Sequence, residues 1–101
     1  MPLEGEIDLH VSPEVAESLR TITAKKPKQV VVDLARVSYI DSSGLAALIE
    51  GMQNVQEYGG KFALASLQEP VRTIFEIARL DQVFRIFPDV SAALTATKAS
   101  R

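Results

Sequence analysis

A chain of 101 residues can build one modest core, and 47% apolar with 24% charged residues is the composition of a folded globular domain, which excludes a disordered segment. Lys and Arg number 11 against 13 Asp and Glu, a formal net charge of -2, so no basic excess exists to grip a phosphate backbone and nucleic acid is excluded as a partner. Cysteine is absent, which removes disulfides and thiolate metal sites, and no apolar run approaches the roughly 18 to 20 residues that span a bilayer; a cytoplasmic chain without direct membrane insertion is expected.

Leu3 to Leu9 alternates, with Leu3, Gly5, Ile7 and Leu9 on one face and Glu4, Glu6 and Asp8 on the other, which predicts a short first strand with an abrupt start. Ser12, Pro13 and Glu14 then predict a helix beginning: a capping hydroxyl, a ring preset to helical φ, and an acid near the positive end of the dipole. Val15, Leu19 and Ile22 form its inner face. Lys25, Lys26 and Lys28, with Pro27 among them, end it in a solvated loop. Gln29 to Leu34 is β-branched without clean alternation, the pattern of a central strand covered on both faces.

Ser38 to Gly51, S-Y-I-D-S-S-G-L-A-A-L-I-E-G, passes from a buried strand through a polar turn into an amphipathic helix. In that helix Leu45, Leu48, Ile49, Met52 and Val55 recur at helical spacing until Gly59 and Gly60 supply a stop. Lys61 to Leu67 predicts the next strand. Gln68 to Leu80 predicts the next helix, with Pro70 near its start and Val71, Ile74, Phe75 and Ala78 inward. Asp81 and Gln82 turn the chain into a short strand over Phe84 to Phe87. Pro88 and Asp89 open a last helix with a stripe at Val90, Ala93 and Leu94 that Thr97 continues weakly, and Lys98 to Arg101 is expected to fray.

The pattern predicts a single α/β domain over residues 1–101, with a mainly parallel sheet of about four strands and four helices. Sites in such sheets lie beyond the carboxyl ends of the strands, where Asp41 to Gly44 falls. The residues leave two readings of that turn open. Asp41, Ser42 and Ser43 can satisfy the unpaired amides of a helix start. The two hydroxyls can equally be presented at a helix N-terminus, where the dipole tolerates a phosphate added by a kinase.

Catalysis finds little support. A serine nucleophile needs a base, and the one histidine, His10, lies in the first loop. Neither a phosphate-binding glycine loop nor a metal-ligand spacing occurs, so no enzyme activity, metal or cofactor is expected.

Gly5 to Asp8 (G-E-I-D), Val30 to Leu48 (V-V-V-D-L-A-R-V-S-Y-I-D-S-S-G-L-A-A-L), the G-G-K before the third strand and Val71 to Phe87 together resemble a STAS domain, the module of bacterial anti-sigma factor antagonists. The likeness covers residues 5 to 94. It implies a binding switch in which Ser42 is phosphorylated by a partner that is both serine kinase and anti-sigma factor. It also implies that Asp41, Ser43, Gly44 and Leu45 complete the partner-facing turn, joined by Glu6 and Asp8 of the first motif. Two other roles fit the same resemblance: a regulatory subunit of an ATP-driven lipid transporter, and a stress-signalling scaffold. The family usually carries a further strand before G-E-I-D. The shortened N-terminal strand here would leave a sheet edge open, and a homodimer through that edge is a further expectation.

Overall fold

The computed structural model describes residues 1–99, with side chains through residue 96. Four strands, β1 (Pro2–Ile7), β2 (Gln29–Ile40), β3 (Lys61–Ala65) and β4 (Arg85–Phe87), form one sheet in the order β1-β2-β3-β4, each neighbouring pair parallel. Helices α1 (Ser12–Thr23), α2 (Ser42–Glu57), α3 (Glu69–Ile77) and α4 (Val90–Ala99) follow the strands in turn. The predicted α/β alternation and parallel sheet are present.

Both faces of the sheet are covered, which is why Val30 to Val32 read as an unbroken apolar run. Val30, Val32, Phe62 and Leu64 join Leu19, Leu48, Val55, Val71 and Phe75 in the main cluster against α1, α2 and α3. Val31, Ala63 and Ala65 point the other way, onto Ala93 of α4. The alanines leave room for that helix to lie close on the sheet. Phe75 is fully buried and meets Phe84 edge-on, with ring centroids 5.7 Å apart.

β2 is twice the length that its apolar run suggests, because it pairs with two partners in succession. Gln29 to Asp33 match Lys61 to Ala65 of β3, and Arg36 to Ile40 match Glu4 to Ile7 of β1. The exposed Ala35 and Arg36 interrupt the pattern without ending the strand. Its second half buries Val37 and Ile40 and delivers Asp41 to the carboxyl edge of the sheet.

β1 ends at Ile7, not at Leu9. Register shifts between Pro2 and Glu4 and between Gly5 and Glu6 break the alternation, and Gly5 sits at φ 81°. Ile7 is still buried, but the chain turns after it, and Leu9 in that turn is 71% exposed.

Other predicted boundaries move by a few residues. Ser12 does not cap α1; it is buried, and Val11 is the N-cap without a side-chain hydrogen bond. The Val11 carbonyl accepts from the amides of Glu14 and Val15 at 2.9 and 3.2 Å, and the Asp8 carbonyl from those of Val11 and Ser12 at 3.1 and 2.8 Å. α2 ends as predicted: Gly59 at φ 82° donates to the Gln56 carbonyl and Gly60 to that of Val55, a Schellman closure. β3 stops at Ala65, where Ser66 turns to φ 64°, and α3 stops at Ile77, where Arg79 turns to φ 60° before a 3-10 turn at Leu80–Gln82. Phe84 precedes β4 and is buried.

Asp89 opens α4, its carboxylate accepting from the Ala92 amide at 2.7 Å. The side chain of Thr97 lies outside those described. Of the tail expected to fray, residues 98 and 99 belong to α4, and residues 100 and 101 lie outside the described residues.

Candidate functional site at the first turn of the second long helix

β2 hands over to α2 at Asp41, whose extended backbone (φ -105°, ψ -174°) makes it the N-cap. One oxygen of its carboxylate, Oδ1, accepts from the amide of Ser43 at 2.9 Å, the amide of Gly44 at 3.1 Å and the hydroxyl of Ser43 at 2.5 Å. Its carbonyl accepts from the Leu45 amide at 2.9 Å, and its own amide donates to the Ile7 carbonyl at 3.2 Å. The Ser43 hydroxyl, and after it the Gly44 amide, hold the Asp41 carboxyl below its usual range, with smaller help from the amides of Ser43 and Leu9 against a weaker opposing effect of desolvation. Asp41 is therefore an anion at neutral pH.

Gly44 fixes how close this turn lies to the sheet. A Cβ there would fall 2.6 Å from Ile40 Cγ1, 2.8 Å from the Ile7 carbonyl oxygen and 2.9 Å from Ile7 Cγ2. Only glycine allows the helix start to rest on the ends of β1 and β2.

The two serines differ. Ser43 is half-buried with its hydroxyl committed to Asp41. Ser42 is exposed, and its hydroxyl has no partner among the described residues. The Ser43 and Gly44 amides already serve Asp41, so the cap leaves Ser42 outside the bonded network of the turn. The two readings left open by the residues thus apply to different side chains: Asp41 and Ser43 cap, and Ser42 is free.

Leu45 is half-buried against the main cluster. Glu6 is exposed on β1, in register with the half-exposed Tyr39 of β2. The Asp8 carboxylate is turned onto its own loop, accepting from the amides of His10 at 3.0 Å and Val11 at 3.2 Å. The structure so brings Asp41 to Leu45 and the loop after β1 to one end of the sheet, with Asp8 shaping that loop. Leu9, counted as an inward strand residue by its alternation, instead stands exposed in the loop that follows Ile7, whose carbonyl accepts from the Asp41 amide. The strand stops at Ile7 and Asp8 closes a turn there, and a period of two does not mark where a strand ends.

A shallow groove of about 210 Å³ runs beside the turn between α1 and α2, lined by small side chains such as Ser12, Ala16, Ser43 and Ala47. Among the described residues no group of three or more His, Asp or Glu gathers to hold a metal, and no helix is long and apolar enough to cross a membrane.

Comparison with known proteins agrees with this geometry. The STAS domain family model matches residues 1–93. The anti-sigma-B factor antagonist of Listeria monocytogenes is 30% identical over 82 residues, which cover 81% of this chain and 72% of that protein. The anti-sigma-F factor antagonist RsfB of Mycobacterium tuberculosis is 28% identical over 101 residues, covering 100% of this chain and 82% of its own. A crystal structure of an anti-sigma factor antagonist from Mycobacterium paratuberculosis superposes with a TM-score of 0.87 at 27% identity, over 96% of this chain and 82% of that one. With its parallel four-stranded sheet and the D-S-S-G turn at the head of α2, this chain belongs to the STAS domain family.

Proposed function

We propose that this chain is a cytoplasmic anti-sigma factor antagonist whose binding to an anti-sigma factor with serine kinase activity is switched by phosphorylation of Ser42. The observation that carries the reading is the split between the serines: Ser42 exposed and unpartnered, Ser43 bonded to Asp41 at 2.5 Å. Relatives named anti-sigma factor antagonists support the kind of partner.

A phosphate on Ser42 adds about -1.5 to -2 charge at neutral pH. At a helix start that charge is tolerated, so the fold is kept. Pressed into a partner's surface beside the Asp41 anion, the same group loses water and meets a like charge, which costs several kcal/mol unless a cation waits there. At about 1.4 kcal/mol per tenfold, affinity falls by orders of magnitude. The chain acts by binding, without chemistry of its own.

This reading needs no second copy. Pro2, two register shifts and the exposed Glu4 and Glu6 make β1 a poor template for edge pairing, and light scattering that gives a dimer would reinstate that edge as an interface.

Incubation with the kinase and ATP followed by peptide mass mapping tests the switch. One phosphate is expected on Ser42, none in Ser42→Ala, and Ser42→Asp should lose affinity for the kinase while its melting curve is kept. Labelling that persists in Ser42→Ala refutes the assignment. A large loss of stability in Ser42→Asp instead marks Ser42 as a structural cap.

A further inference from the structure

A leucine held in the open beside the Ser42 turn is the feature that the fold leaves unused. Leu9 is 71% exposed, so it contributes little to the core. Single exposed apolar residues are ordinary on protein surfaces, and two features set this one apart. First, its backbone is pinned: Asp8 accepts from His10, Val11 and Ser12 on one side, and on the other the carbonyl of Ile7, two residues earlier, accepts from the Asp41 amide at 3.2 Å. A side chain displayed from a fixed loop loses little freedom when it is buried by a partner. Second, that Ile7–Asp41 bond sets the loop carrying Leu9 against the residue that caps α2, one position before Ser42, so a surface that covers Ser42 lies alongside Leu9.

The charges around it describe what it meets. Glu6, Asp8, Glu14 in the first turn of α1 and Asp41 place carboxylates around it, while His10 and, in register with Glu4, Arg36 are basic groups of the same segments. Ile77 and Val83 are also exposed, but the end of α3 and the turn into β4 lie toward the amino ends of the strands, opposite the Asp41 turn.

We propose that Leu9 is the apolar anchor of the partner interface, filling a pocket that is lined by apolar side chains and rimmed by Lys or Arg on the protein that also reads Ser42. The assignment rests on the reading given above. A buried apolar anchor ringed by polar contacts is the arrangement that concentrates binding energy in protein interfaces. The anchor supplies affinity, and the Ser42 hydroxyl beside it supplies the veto.

Isothermal titration of the full chain against the purified anti-sigma factors of its source genome tests this, with Leu9→Ala, Leu9→Met and Ser42→Asp in parallel. Leu9→Ala is expected to weaken binding at least about tenfold, and Leu9→Met to stay within about threefold, with melting temperatures within about 2 °C of the parent. Leu9→Ala that binds within twofold of the parent overturns the anchor and leaves the function standing. A parent chain that binds none of those proteins overturns the function and the anchor with it. A melting loss above about 5 °C in Leu9→Ala shows a structural role and also overturns the anchor.

Discussion

Gly44→Ala has an effect whose sign separates two accounts of the turn. In an ordinary helix the change is favourable by about 1 kcal/mol, because alanine restricts the unfolded chain and suits a helix better. Here the new methyl meets Ile40 Cγ1 at 2.6 Å and the Ile7 carbonyl oxygen at 2.8 Å. Both isoleucines are 1% exposed, and a carbonyl within a strand cannot swing aside as a side-chain end can. Overpacking of this kind costs about 1 to 3 kcal/mol, and three contacts under 3 Å place it at the upper end. Subtracting the helix gain leaves a net loss of about 2 kcal/mol, a fall in melting temperature on the order of 10 °C for a domain of this length. Thermal unfolding followed by circular dichroism, checked by urea titration, reads this directly. An unchanged or raised melting temperature refutes the close approach of α2 to the ends of β1 and β2.

Gly51→Ala provides the contrast: its nearest neighbour is Leu19 Cδ1 at 2.9 Å, the movable end of a side chain, so calorimetry should find a change within about 1 kcal/mol of zero. Phe75→Ala empties the centre of the main cluster and removes the edge-on contact with Phe84, with an expected loss of about 3 to 5 kcal/mol in urea unfolding. Asp41 gives a pH signature. Its folded carboxyl titrates below the unfolded one, first through the Ser43 hydroxyl and then the Gly44 amide, so its stabilising contribution is full above the unfolded value of about 3.9 and vanishes as pH falls through the folded one. The urea midpoint of the parent should thus exceed that of Asp41→Asn at neutral pH, and the gap should close in acid; a gap that widens in acid contradicts the assigned hydrogen bonds.

The residues that repeat with a clear period were legible from the chain alone. Val15 and Leu19, Leu48 and Val55, and Val71 and Phe75 are all core. The stop at Gly59 and Gly60 was legible too, since the left-handed turn at Gly59 is a local property. What stayed hidden depends on contacts between distant segments. Ala35 and Arg36 look like the end of a strand, yet β2 continues because β1 arrives beside it from thirty residues away. Leu9 looks inward by parity with the buried Ile7, but the strand ends at Ile7 and Asp8 turns the chain before Leu9 is reached. Ser12 looks like a cap, but the helix starts one residue earlier, the Val11 carbonyl takes the Glu14 and Val15 amides, and Ser12 is buried.

The turn itself was only half legible. D-S-S-G points to the place, while the division of labour between the serines needs the geometry of one carboxylate oxygen that takes Ser43 and leaves Ser42. Gly44 carries no signal of its packing role beyond being a glycine, since its backbone is ordinary helix and the constraint lies in the isoleucines it touches.

Asp41 filling the amides of the α2 start has a consequence for time as well as for affinity. A phosphate that finds those donors occupied is not sheltered by the helix, and an ester left in solvent is as open to a phosphatase as one on a short peptide. The modified state then has no lifetime of its own: hydrolysis of phospho-Ser42 by a phosphatase should match that of a peptide spanning residues 38–46, and a much slower rate on the folded chain would mean that the ester is held. Under the proposed switch such a domain would keep no memory, and the balance of kinase and phosphatase alone would set how long its message lasts.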